Sequence, residues 1–258
     1  IEKNIALDEQ AIAQGYDGIA CIAATADSYI PIVEQAKENG IPVVTFHQDS
    51  PESARLAFFG PDHVANAQAE ARFMADYLGK KGQVITIQGA ASDAESLVVD
   101  SFIEELAVYA PEMEVVAVLS DTLDAAKAYE KISAAIEANP EVVGFFGATQ
   151  RSGSDVATIC AEQGMDFSKL CIITNDVVPA NVKLLQEGKI TAINDQGALD
   201  TGYLAVKALY EYLTTGELTT YNYGLNYLPT NLVTAENVDE YLEVNKIIED
   251  MLAAAAQK

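Results

Sequence analysis

The 258 residues allow one large domain or two lobes of ordinary size, and with half of them apolar a sizeable core is available and a disordered chain is excluded. Thirty-nine acidic residues against fifteen basic ones give a formal net charge of −24. That field repels a phosphate backbone and an anionic lipid surface, so nucleic acid is not an expected partner and a neutral or polar small molecule is left.

The chain opens inside a helical pattern, Ile1–Gln14, with no cap before it, which points to a processed or truncated start. No run approaches the ~18 apolar residues of a membrane span, and no basic-then-apolar leader or lipid-attachment cysteine is read. From there short β-branched runs alternate with longer stretches of helical period. The strands are predicted at Gly18–Ala23, Pro42–Phe46, Gln83–Gln88, Glu114–Leu119, Val142–Phe146, Leu170–Thr174 and Ile190–Asn194. Most are apolar without alternation, as in strands covered on both faces. Between them the predicted helices are Tyr29–Asn39, Asp62–Leu78, Ala94–Tyr109, Asp124–Ala138, Ser154–Gly164 and Pro179–Gly188. In the third, Val99, Phe102, Ile103 and Leu106 follow the i, i+3, i+4, i+7 rule. Asn39-Gly40, Gly164 and Gly188 are stop signals, and Asp62, Asp124 and Ser154 are candidate N-caps. The helix Ala198–Thr215 precedes a Tyr/Asn/Thr-rich stretch, Thr219–Asn231, that breaks the rhythm, and a last helical pattern covers Ala235–Leu252. Repeated β–α–β units predict an α/β fold of parallel sheets flanked by helices.

The usual catalytic signatures are missing. There is no GxGxxG after a strand, no GxxxxGK[ST] and no GxSxG elbow, and His47 and His63 are the only imidazoles. His63, directly after the cap Asp62, reads as a solvated first-turn residue. Among so many acids, carboxylate pairs are expected by chance and read as solvated helix faces. Cys21, Cys160 and Cys171 show no CxxC spacing and read as buried free thiols, with a Cys160–Cys171 bridge as the alternative. No metal, calcium included, no cofactor and no enzyme activity is expected.

Ligands of open parallel sheets bind beyond the carboxyl ends of the strands. The residues there are His47, Gln48 and Asp49; Ser92, Asp93 and Glu95; Thr149, Gln150 and Arg151; Asn175 and Asp176; and Asp195 and Gln196. Carboxylates and amides gathered on five successive loops suit a polyhydroxylated ligand, although polar residues also cap helices and face water there.

Several stretches resemble one family. They are Ala11–Ile19 (AIAQGYDGI), Asn39–Phe46 (NGIPVVTF), Gly60-Pro61-Asp62, Gly82-Gln83-Val84, Gly188-Lys189-Ile190, and Pro229–Thr234 (PTNLVT) followed by Glu236–Asp239 (ENVD). Together they cover nearly the whole chain in the order seen in ribose-type periplasmic sugar-binding proteins of ABC transporters, relatives of the effector domains of lactose-repressor-type regulators. The resemblance implies the type 1 periplasmic-binding fold: two α/β lobes closing on a sugar by hinge motion. The N-terminal lobe would comprise 1–60 with 197–229, and the C-terminal lobe 61–196 with 230–258. Hinge crossings would lie near 60–61, 196–197 and 230–231. The family's first strand, first helix and second strand have no counterpart here, so the first lobe would lack its N-terminal strands. It implies an extracytoplasmic, periplasmic or lipid-anchored, monomer that serves a membrane permease and does no chemistry. The alternative is the ligand-sensing effector domain of a regulator or receptor.

Position by position, Asp176 matches a carboxylate that accepts sugar hydroxyls, Gln196 an amide near the second hinge, and Thr149 a position where the family often has asparagine. His47 replaces the family's carboxylate directly after Val43–Phe46, while Asp49 keeps a second acidic position. The arginine early in the helix after Gly89 is replaced by Val98, and Arg151 is the candidate to compensate from the neighbouring loop. A ligand with fewer hydroxyls, such as a deoxy sugar, fits that loss. Gln48 and Asp93 complete the candidate ligand-binding set.

Overall fold

The computed structural model describes residues 2–89, 93–120, 124–218, 220, 224–228 and 230–255. Its first elements are α1 (Glu2–Ala13), β1 (Ile19–Cys21), α2 (Ala26–Glu38), β2 (Val43–Phe46), β3 (Ala57–Pro61), α3 (His63–Tyr77), β4 (Lys81–Gln88), α4 (Asp93–Tyr109) and β5 (Glu112–Ser120). Then follow α5 (Ala125–Ala138), β6 (Val142–Gly147), α6 (Ser152–Glu162), a 3-10 turn at Phe167–Lys169, β7 (Cys171–Asn175) and α7 (Pro179–Gln186). The chain ends with β8 (Ala192–Asp195), α8 (Ala198–Thr215), β9 (Leu225–Leu228), β10 (Asn231–Thr234) and α9 (Val238–Ala255). It divides into two compact units, Ile1–Asn66 with Ser92–Val98 and Gln196–Thr230, and Ala67–Ala91 with Val99–Asp195 and Asn231–Lys258.

Unit 1 holds a parallel sheet in the order β1-β2-β3-β9. Successive strand residues point to opposite faces, and both faces here are apolar. Val43 packs with Ile19 and Cys21 against Ile12 of α1 and Tyr29, Ile32 and Val33 of α2. Val44 packs with Ala57 and Phe59 against Ala205, Ala208 and Leu209 of α8. That double cover is why these strands read as unbroken apolar runs.

Unit 2 holds six strands in the order β10-β8-β7-β6-β4-β5, all parallel except β10, which runs antiparallel to β8 with Asn231 opposite Asp195. On one face Ile132 and Ile136 of α5, Val156 and Ile159 of α6, and Val182 and Leu185 of α7 meet Ile85, Phe145 and Ile172. On the other, Phe102 of α4 stacks on Phe146 with centroids 4.0 Å apart. A Cβ added at Gly144 would lie 2.8 Å from the sulfur of Met74 on α3, so the glycine lets that helix sit on the sheet. α6 approaches β7 in the same way: a Cβ at Gly153 would meet that of Thr174 at 2.6 Å.

The helix stops hold. Gly40, Gly164 and Gly188 have φ of +73°, +70° and +69°, the left-handed geometry that glycine adopts without a Cβ clash. Asp62 caps α3 by accepting from Ala65 N at 3.0 Å, and Asp124 caps α5 by accepting from Ala126 N and Lys127 N. Ser154 is not a cap. α6 begins two residues earlier, at Ser152, and the Ser154 hydroxyl donates to Arg151 O at 2.9 Å from inside the first turn. The last helix starts at Val238 rather than Ala235, because Asn237 folds back, accepting from Thr234 N at 2.7 Å and donating to Leu232 O. All three cysteines are buried and free, so the Cys160–Cys171 bridge is absent, and burial pushes each thiol up to about 12.

Glu70 departs from the reading of acids as solvated helix faces. It is 2% exposed on α3, and neither carboxyl oxygen has a hydrogen bond of good geometry among the described residues. Burial pushes its carboxyl up to about 8, only partly offset by the Asn194 side chain of β8. The folded state therefore takes up a proton that the unfolded chain, titrating near 4.5, has released. The resulting stability is full below about pH 4.5 and is lost as pH rises through about 8. Urea unfolding at pH 5, 6.5 and 8 (about 1.4 kcal/mol per pH unit at most from one group) should show this slope, and Glu70→Gln should flatten it. An identical slope in the variant would assign it to other groups.

Candidate functional site

In unit 1 the strands deliver their carboxyl ends to one edge, and the chain leaves β2 through His47 at φ +62°. A non-glycine residue holds that conformation only when its surroundings enforce it. Here His47 N donates to Phe59 O of β3 at 2.9 Å, and the next residues are tied by Gln48 N to Phe46 O and Ala23 N to Gln48 O. Asp49 is committed inward. Its carboxylate accepts from Nε and Nη2 of Arg55, from the Thr45 hydroxyl at 2.6 Å and from Ser50 N at 2.8 Å. Three of these donors crowd Oδ1, and Oδ2 takes only Nη2 of Arg55. Arg55 was invisible to sequence reasoning as a partner, since five residues of loop separate the two.

His63 is not a solvated first-turn residue. Burial holds its imidazole below the usual range, its Nε2 lies 3.1 Å from His47 O, and the two rings meet edge to face at 5.9 Å. A carbonyl only accepts, so Nε2 carries the proton of a neutral ring. Around these residues lies a pocket of about 300 Å³, with Gln48, Asp49, Asp62 and His63 on its wall. Phe58 and Tyr227, edge to face at 6.3 Å, supply apolar wall together with Leu97 and Leu225. The Gln48 Oε1 is buried without a donor among the described residues. Gln196, 9% exposed and followed by Gly197 at φ +66°, lies between β8 and α8, apart from the described lining of this pocket. Asp93 opens α4, and its side chain falls outside the described residues.

Unit 2 repeats the device. The chain leaves β7 through Asp176 at φ +69°, whose N donates to Asn194 O of β8 at 2.9 Å. Thr174 fastens the neighbouring loop: its hydroxyl donates to Thr149 O at 3.0 Å and accepts from Gly153 N at 3.1 Å. The Asn181 amide donates to Gln150 O at 2.9 Å and Asp176 O at 3.1 Å, joining both loops to α7. The Thr149 and Ser152 hydroxyls pair at 2.6 Å, and Arg151 Nε donates to Asp155 at 2.9 Å. Thr149, Gln150, Arg151, Ser154, Val178 and Asn181 line a pocket of about 450 Å³. Thr149 and Arg151 thus meet in one pocket, with Asp176 two residues before its wall at Val178. Asn181 was missed, since a lone amide in an apolar helix carries no motif; its Oδ1 is buried without a donor among the described residues.

The Asp49–Arg55 pair is largely buried, with side-chain exposures of 17% and 9%. Arg55→Ala would leave the carboxylate buried without its counter-charge and should cost about 3 kcal/mol. Urea denaturation measures this, and an unchanged midpoint would show that the pair does not hold the loop.

With both pockets described, relatives can be compared. Residues 1–218 match the family model of the periplasmic binding protein domain. The D-allose-binding periplasmic protein of Escherichia coli K12 is 24% identical over 225 residues, 84% of this chain and 72% of that protein. A solute-binding protein of an ABC transporter from Burkholderia graminis, solved with D-arabinose, superposes with a TM-score of 0.85 at 26% identity, covering 92% of this chain and 81% of that one. The sugar-binding protein of a sugar ABC transporter from Bacillus halodurans gives 0.83 at 26% identity, covering 93% and 85%. The two parallel sheets with their flanking helices are the type 1 fold of those structures, and the chain belongs to the periplasmic binding protein family.

Proposed function

We propose that this protein is an extracytoplasmic solute-binding protein that captures a sugar or sugar-like polyol and presents it to the permease of an ABC transporter, as a monomer and without chemical turnover. The observation that carries the reading is that each unit has a pocket at the carboxyl ends of its parallel strands, with Gln48, Asp49 and Asp62 on the wall of one and Thr149, Gln150, Ser154 and Asn181 on the wall of the other. Such groups pair with hydroxyls in both directions. Both imidazoles belong to unit 1, and the three thiols are buried and kept protonated by that burial. Asp176, Thr149, Arg151 and Asn181 are assigned to ligand contact in unit 2, His47 and Gln48 in unit 1, and Gln196 and Asp93 complete the set. Asp49 is assigned to holding the loop. The lobes close on the ligand by bending at hinge crossings near 60–61, 196–197 and 230–231.

Calorimetry of the 258-residue chain against pentoses, hexoses, deoxyhexoses and inositols tests this. One sugar should bind, and Asp176→Ala should weaken it by at least about tenfold, the worth of a charged hydrogen bond. Unchanged affinity in the variant would remove Asp176 from the site, and silence across the panel would remove the sugar. Loss of uptake of that sugar in cells lacking the protein separates transport from sensing.

A further inference from the structure

We infer that the sugar presents an apolar edge to unit 1, and that the ligand is a 6-deoxyhexose whose methyl group lies against Phe58, Tyr227 and Leu97; this rests on the sugar-binding reading above. Three observations within unit 1 converge. Asp49, three residues after β2, is held by Arg55 through both oxygens, and its Oδ1 also takes Thr45 and Ser50, so at most one acceptor site, on Oδ2, is left for a hydroxyl. Arg55, the arginine of this unit, is bound to that same carboxylate. From the described residues of the first turns of α4, Ala94 and Leu97 reach the wall. Leu97, 46% exposed, lies on the pocket, and Val98, 6% exposed, is buried.

The polar capacity left on this wall is small and one-sided. Gln48 Oε1 is a buried acceptor without a donor among the described residues, and Asp62 uses Oδ1 to cap α3. His63 Nε2 is directed at His47 O. A ligand that donates one or two ring hydroxyls to Gln48 and Asp62 and turns a methyl to the aromatic pair leaves no polar group unpaired. A hydroxymethyl group in the same place would bury a hydroxyl against carbon. An apolar pocket rejects an added hydroxyl by roughly ten- to a hundredfold.

The test is calorimetry of the 258-residue chain with matched pairs: L-rhamnose and L-mannose, L-fucose and L-galactose, D-fucose and D-galactose, 6-deoxy-D-glucose and D-glucose. One deoxy sugar should bind at least about tenfold tighter than its 6-hydroxy partner. Leu97→Gln, at a half-exposed position, should shrink that ratio severalfold by giving the hydroxyl a partner. Binding of hexoses or pentoses with no deoxy preference, or a ratio untouched by Leu97→Gln, overturns this inference and leaves sugar binding standing. No binding by any sugar at about 10 mM overturns both.

Discussion

The structure turns on how each unit ends a central strand. A non-glycine residue follows β2 and β7 directly, His47 at φ +62° and Asp176 at φ +69°, and in each case its N–H donates to the neighbouring strand, to Phe59 O and Asn194 O. Left-handed backbone costs an ordinary residue of order 1 kcal/mol or more, so the ladder bond and the surrounding packing must hold it. What the strain secures is direction. The chain turns sharply off the sheet edge, and the next few residues become pocket wall.

The polar residues around these turns divide into those satisfied inside the protein and those held in reserve. Asp49 and Thr174 are spent on their own loops, one through Arg55 and the other through Thr149 and Gly153. Gln48 Oε1, Asn175 Oδ1 and Asn181 Oδ1 are buried acceptors without donors among the described residues, while the amide nitrogens of both asparagines are bonded to backbone carbonyls. Anchoring the nitrogen fixes where the oxygen points. A buried acceptor left unpaired is costly, and a hydroxylated ligand relieves that cost. On this account affinity comes from oxygens kept waiting by rigid neighbours, which is preorganisation in the ordinary sense.

The fold was largely legible because burial on both faces leaves a compositional mark: Val43-Val44, Val84-Ile85 and Ile172-Ile173 are adjacent buried apolar residues. Helix ends at Gly40, Gly164 and Gly188 were legible through local backbone chemistry. Strand β3 was not, because Ala57-Phe58-Phe59 runs straight into Gly60-Pro61, which reads as a break. β9 and β10, four residues each in a polar stretch, are strands only because β3 and β8 are there to pair with them. In the site, residue type and position after a strand singled out Gln48, Asp49, Thr149 and Arg151, which line the two pockets. The same reasoning could not tell an available carboxylate from a spent one, since the Asp49–Arg55 pairing exists only in three dimensions. Nor could it separate Glu70 from thirty-eight other acids: burial, which moves its proton affinity, is a property of where α3 packs.

In the proposed binding mode one sugar engages the strand-end loops of both units. Amide NMR during titration with the sugar found by calorimetry tests it most directly. The account predicts that signals of residues 47–49 and those of 149–151 and 175–178 shift together, with one common dissociation constant. Shifts confined to one unit, or two sets with different constants, would contradict it.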